Sequence, residues 1–297
     1  MSNADYVIAK AGVFSAIANT TGAIVPLTNL VGITSFRSIG AGDRFVGQAI
    51  LIDEEIMRVT AINPASLNVA RGCADTVPAA HADNAIVWFF HRTVTSDGRE
   101  YFPGETISVK VLPRTASRTM PIEYSPPQTF TFAGRAAHPY PPGRVLVGAS
   151  VWYASGFRLT AIAPNLAITW AHRNRLTQAD QLVAHEEVSV TPEVGTTYRL
   201  RLFTAGNTLV RTISGITAAA LTYTRAEAAT DFGLIAISDT GDYPAYAILD
   251  TQRDGYASLQ HYRIDFAVDT TALVGNLLLE TGDRLLLETG DHINLEN

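Results

Sequence analysis

Asp53, Glu54 and Glu55 are adjacent carboxylates, a pattern able to serve metal binding or acid–base chemistry. They fall between two apolar runs, FVGQAILI (45–52) and EIMRVTAI (55–62), where a hairpin turn is expected and acidic residues are ordinary. The turn is the simpler reading. The seven histidines, at 81, 91, 138, 172, 185, 261 and 292, show no HxH or HExxH spacing. His185-Glu186 lacks the second histidine that a zinc-binding helix requires. Cys73 follows Arg71-Gly72, and a neighbouring arginine can lower a thiol pKa, but no general base accompanies it. A small inert thiol is expected. As the one cysteine, it excludes an intramolecular disulfide and any Cys-based zinc site. There is no G-x-S-x-G elbow, no G-x-x-x-x-G-K-[ST] phosphate loop and no nucleotide fingerprint. These residues predict a chain that is not an enzyme and has no catalytic, metal or cofactor-binding residues. Carboxylates far apart in sequence can still pair for glycoside hydrolysis, so a hydrolase stays as an alternative.

The elements behind these residues read as β throughout. Runs of four to eight residues rich in Val, Ile, Thr and aromatics alternate with turn residues, and 22 glycines and 14 prolines supply those turns. The single helical signal is TRAEAATDF (224–232), read as a turn of helix joining two strands. The 297 residues suit about two or three domains. With 47% apolar residues the chain can bury real cores. A net charge of −6 without a basic run argues against a nucleic-acid surface. No basic start leads into an apolar core, and no run approaches about 18 apolar residues, so neither a leader nor a membrane span is expected. Twenty of the 22 basic residues are arginine, whose planar guanidinium tolerates partial burial and suits polar protein contacts.

Four stretches follow. Residues 1–44 are Ala/Gly/Thr-rich, uncharged from Ala11 to Phe36, and of uncertain order, a segment that would order against a partner. Residues 45–143 form one or more small β-domains: the hairpin above, a turn at Asn63-Pro64, SLNVAR (66–71), AIVWFF (85–90), then ISVKVLP and QTFTFAG. The HPYPPG run (138–143) reads as a stiff linker. Residues 144–267 supply seven or eight short strands without a cysteine pair, which predicts a fibronectin-III-like β-sandwich with Trp170 as core tryptophan and Tyr198 as its neighbour. Residues 268–297 carry an octad repeat, LLLETGDR (277–284), LLLETGDH (285–292) and a decayed INLEN. Such a short β tail buries too little to stand alone, so Leu277, Leu279, Leu285, Leu287 and Ile293 are expected at an interface. Arg173 and Arg175, spaced by two on a predicted strand, would share one face. They would anchor a neighbouring subunit, or pair with acids such as Glu186 or Glu187 within the sandwich.

Two stretches carry a family resemblance. One is LNVARGCADTVPAAHADNAIVWFF (67–90). The other runs through LAITWAHRNR (166–175), EVGTTYRLRLF (193–203), LVRT (209–212) and YTRAEAATDFG (223–233). This ordered set resembles the C-terminal half of the large tail-hub proteins of siphophages and gene transfer agents. Those hubs carry a large enzyme-like barrel module ahead of these domains, for which this chain has no room. The resemblance implies a structural virion protein of the tail tip, baseplate or fibre connector, assembled in the bacterial cytoplasm. It would act as a homo-oligomer, a trimer by the family's position, docking other tail proteins or receptor-binding fibres, with a host surface receptor as a further partner. The alternative is a carbohydrate-binding host-attachment protein, for which clustered exposed aromatics are the discriminating feature. Tyr140, Tyr153, Tyr243, Tyr246, Tyr256 and Tyr262 are its candidates.

Overall fold

The computed structural model describes residues 8–11, 23–31, 48–90, 99–178, 181–187, 189–234 and 241–270. The chain divides into two compact units, Met1–His91 with Pro139–Asn297, and Arg92–His138.

Within the first unit, β1 (Ile8–Ala11), β2 (Ala23–Val31), β3 (Ala49–Ile52), β4 (Glu55–Asn63), β5 (Ser66–Ala70) and β6 (Ile86–Phe90) form a closed barrel in the order β1-β2-β5-β4-β3-β6. Every neighbouring pair is antiparallel, with β6 closing on β1. Period-two alternation drives it. Ile50, Ile52, Met57, Val59, Leu67, Val69, Val87 and Phe89 point inward, joined by Val25 and Leu27 from β2. Intervening residues such as Ile24 and Trp88 face outward. The hairpin across Asp53-Glu54 is as expected, with Asp53 in the left-handed region at φ 51°. So is the turn at Pro64, where Asn63 pairs with Ser66. Residues 1–44 depart from expectation, because 8–11 and 23–31 are barrel walls. Their backbones complete ladders on β5 and β6, and closure leaves no open edge, which substitutes for what small side chains cannot gain by burial.

The second unit contains β7 (Thr106–Val109) and β8 (Gln128–Thr131), paired antiparallel, with a 3-10 turn at Ile122–Tyr124 and another at Arg135–Ala137. Tyr101 and Phe132 stack at 4.4 Å. Lys110 Nζ donates to the Ile122 carbonyl at 2.9 Å, and Ser125 Oγ to that of Val111 at 2.8 Å. The expected single block over 45–143 is thus divided: its first strands belong to the barrel, and 92–138 stands as its own unit. The HPYPPG run is likewise no free linker, since Pro141, Pro142 and Gly143 are buried and lead directly into a strand.

That strand opens a β-sandwich. Its elements are β9 (Gly143–Val147), β10 (Ser150–Val151), β11 (Arg158–Leu159), β12 (Asn165–Ala171), β13 (Thr197–Thr204), β14 (Leu209–Ile216), β15 (Ala220–Thr224), β16 (Asp242–Arg253), β17 (Tyr256–Ala257) and β18 (Tyr262–Asp269). One sheet runs β10-β9-β12-β15 and the other β11-β18-β16-β13-β14, with β17 on β16. Only the β11–β18 pairing is parallel among the described strands. This is a fibronectin-III-like arrangement. Val145, Leu166 and Ile168 from one sheet meet Leu200, Leu249, Ile264 and Phe266 from the other in a single core. Trp170 packs edge-on against Tyr198 at 5.1 Å, as the sequence predicts. The predicted helical turn is α1 (Arg225–Asp231). Thr224 accepts from the Glu227 amide while the Glu227 carboxylate accepts from the Thr224 amide, a capping box that fixes its start. The octad repeat, and with it Leu277, Leu279, Leu285, Leu287 and Ile293, lies outside the described residues.

Candidate functional site

The β3–β4 hairpin delivers Glu55 into the interior, and the end of β5 delivers Arg71 against it; both are buried. Gly72 then turns the chain at φ 57°, where a side chain would also strike Pro78 at 2.6 Å. Glu55 Oε1 accepts from Arg71 Nε at 2.7 Å and from the Gly72 amide at 3.0 Å. Its Oε2 accepts from Arg71 Nη2 at 2.5 Å, the Ala79 amide at 2.9 Å and His81 Nε2 at 2.9 Å. His81 Nδ1 lies 2.7 Å from Asp53 Oδ2. A ring with a carboxylate on each nitrogen donates from both, so His81 is an imidazolium. Burial would depress its pKa, but its bonds to Glu55 and Asp53 outweigh that and raise it. Burial likewise raises the Glu55 pKa, and Arg71, His81 and the Ala79 amide more than reverse it. Five donors converge on the Glu55 carboxylate, so it clasps the end of β5 and the 72–81 loop to the β3–β4 hairpin.

The clasp sits beside the junction of barrel and sandwich. The His185 amide donates to the Arg71 carbonyl at 2.9 Å, and the Arg144 amide to the His185 carbonyl at 2.5 Å. Gly143 permits that approach, since a side chain there would stand 2.8 Å from the His185 oxygen. Arg58 forks onto Glu187 at 2.6 and 3.2 Å. Gln260 accepts from the Val77 amide at 2.6 Å and donates to the Glu54 carbonyl at 2.9 Å. Cys73 is buried here, and burial pushes its thiol up to about 12, an inert group as expected.

Arg173 and Arg175 do not share an exposed face. β12 ends at Ala171, so strand alternation does not reach them. Arg173 is 5% exposed and spans the junction, donating to the Ala74 and Val183 carbonyls at 3.1 and 3.0 Å, with its guanidinium 5.7 Å from the Tyr140 ring centroid. Arg175 binds Glu193 at 3.1 Å, an acid it shares with Arg253. The acids expected as their partners pair with neither: Glu187 holds Arg58, and Glu186 Oε2 has no hydrogen-bond partner.

Glu186 lines a cleft of about 520 Å³ with Arg144, Val145, Leu146, Val151, Trp152 and His185. Hairpin β9–β10 supplies one wall, and the 181–187 loop the other. Burial, then the neighbouring Glu187 charge, pushes the Glu186 carboxyl up to about 7. Burial brings His185 down to about 4, leaving a neutral ring whose Nδ1 has no hydrogen-bond partner. Its Nε2 is 4.0 Å from Glu186 Oε2, beyond hydrogen-bonding reach. Trp152 is set edge-on to Tyr153 and Tyr262 at 5.2 and 5.1 Å. A smaller cleft of about 460 Å³ lies over the clasp, between Asp53, Ala80 and Gln260.

The remaining aromatic candidates are scattered by their packing. Tyr246 is buried beneath Arg263, stacked on Phe203; Tyr262 is fully buried; Tyr243 packs on Phe232. Among the described residues, no three His, Cys, Asp or Glu side chains come together as a metal site. Sequence reading missed Trp152, Arg144 and the free Glu186 carboxylate. The available signal was Trp152 directly after Val151, together with the acid pair beside His185.

No family model and no curated protein sequence matches the chain. The chain is similar to several solved structures, two of which follow. The crystal structure of the chicken CNTN1 FN1–FN3 domains is 10% identical with a TM-score of 0.23, over 92% of this chain and 72% of that one. A biofilm-associated protein BSP domain is 8% identical with a TM-score of 0.20, over 88% of this chain and 29% of that one.

Proposed function

We propose that this chain is a structural protein of a bacteriophage tail, at the tip, baseplate hub or a fibre connector, that works by oligomeric assembly and by docking neighbouring tail proteins. One observation carries the reading. In the 92–138 unit Ser125 is the one buried residue among those described, while Phe102, Val111, Ile122, Tyr124 and Phe130 are all more than half exposed. A two-stranded sheet is marginal by itself, and large apolar side chains in water mark a surface made for a partner. Within the other unit, Arg58–Glu187 cross-links the barrel to the sandwich. Closed homo-oligomers are the usual form of such parts, and a trimer suits a place on a tail axis.

The test is composition and competence of particles. Purified virions should contain the chain, in equivalent copies on or around the tail axis by symmetry-resolved electron microscopy. Replacing Phe102, Ile122 and Phe130 together by serine should leave the barrel–sandwich unit folded and remove the chain from particles. A protein absent from virions, or a triple variant that still assembles infectious particles, would overturn the reading.

A further inference from the structure

We propose that the cleft between hairpin β9–β10 and the 181–187 loop is a binding site for a neutral saccharide, with Trp152, Arg144, His185 and Glu186 as its contacts. Nothing in the proposed tail role depends on this site, and the two fail separately. The volume of about 520 Å³ lies within the range of small-molecule sites, about 300–1,000 Å³. Its lining mixes an apolar wall, Val145, Leu146, Val151 and Trp152, with a few convergent polar groups. Three lining residues carry a buried polar atom without a partner: Trp152 Nε1, His185 Nδ1, on a residue 6% exposed, and Glu186 Oε2. A buried polar atom without a partner is costly, and a ligand that supplies one recovers that cost.

The charges select the ligand class. Glu186 disfavours an anion, and Arg144 on the same cleft disfavours a cation. A purely apolar ligand would leave all three unsatisfied atoms as they are. A metal ion would find one carboxylate and one imidazole facing a guanidinium, too few ligands and the wrong field. A neutral polyol with an apolar face satisfies all of these groups. Its C–H face lies on Trp152, its hydroxyls donate to Glu186 and His185, and its oxygens accept from Arg144. Glu186 is the one carboxylate on the cleft, because Glu187 is held by Arg58. Hydrolysis by paired carboxylates therefore has no second partner among the lining residues, and the site binds without cleaving.

The experiment titrates the full chain with D-glucose, D-galactose, L-rhamnose and N-acetylglucosamine, read by saturation-transfer NMR and by tryptophan fluorescence. At least one sugar should bind saturably in the millimolar range or tighter. Glu186→Gln and Trp152→Ala should each weaken that binding about tenfold or more while retaining the wild-type near-ultraviolet circular dichroism of the core. Trp152→Phe, which keeps an aromatic wall, should weaken it less than Trp152→Ala. Absence of saturable binding by all four sugars overturns the proposal, as does binding that Glu186→Gln leaves unchanged. Preference for free lysine or glutamate over every sugar also overturns it.

Discussion

Two carboxylates on this chain have been moved in opposite directions, and both shifts have consequences for stability. The Glu186 carboxyl stands at about 7 in the folded chain against 4.5 when free, raised by burial and by Glu187. The fold therefore binds a proton there that the unfolded chain has released, and stability falls as pH rises from 4.5 through about 7. Glu186→Gln removes this penalty. By urea unfolding the variant should match the wild type at about pH 4 and exceed it by about 1–2 kcal/mol at about pH 8, since solvent at the cleft mouth screens part of the shift. Equal stability at both values would show that the oxygen has a partner after all. The clasp behaves the other way. Glu55 is lowered below 4.5, so its contribution is present above that value and is lost as pH falls through its folded pKa. His81 is raised above 6.5, so its contribution is present below 6.5 and is lost as pH rises through its folded pKa. The destabilisation caused by His81→Gln should accordingly be larger at about pH 6 than at about pH 9, measured by the same unfolding titration. A pH-independent loss would mean that the ring acts through shape alone.

The strands follow from period-two alternation, and their core faces were legible for that reason. TYRLRLFT (197–204) reads as one strand and is one, with Tyr198, Leu200 and Leu202 buried. The α1 turn was legible in TRAEAATDF, its cap only in the structure, and Thr224→Ala should lower the melting midpoint in step with a loss of about 1 kcal/mol. Barrel closure was not legible. β1 and β2 are Ala/Thr-containing, and their partners lie across turns and loops that no local pattern specifies. Nor was the junction, whose pairs are separated by 129 residues at Arg58–Glu187 and 206 at Gln260–Glu54. Arg173 shows the cost of extending a strand by spacing alone: β12 stops two residues short, and a side chain read as surface becomes a buried link between domains. The junction supports a prediction at its own scale. Glu55→Gln leaves the Arg71 guanidinium buried with a neutral partner, and breaking a buried pair from one side costs about 3–5 kcal/mol. Denaturant unfolding should register a loss of that order, far more than the same change at the surface Arg263–Asp265 pair, and comparable losses would place the clasp in solvent.

The barrel and sandwich share one compact unit, and in the 92–138 unit Ser125 is the one buried residue among those described. The sandwich closes before the octad repeat begins. β18 ends at Asp269, and Thr270 is tied back to Gly241 by a hydroxyl bond of 2.7 Å and a returning amide bond of 3.0 Å. Arg225 grips the Asp269 carbonyl at 2.7 Å, fixing the same corner from α1. Every described hydrogen bond and core residue of the sandwich thus lies at or before residue 270. A chain ended after Ala272 loses Leu277, Leu279, Leu285, Leu287 and Ile293 while keeping all of those bonds. Its melting midpoint should therefore stay close to that of the full chain. If the repeat docks a neighbour by adding strands to an exposed sheet edge, the same truncation should stop particle assembly at the step that recruits that neighbour. Loss of assembly together with an unchanged melting midpoint would place the repeat at an interface. A lowered midpoint would instead show that the repeat packs on its own sandwich, and infectious particles built from the truncated chain would remove it from assembly altogether.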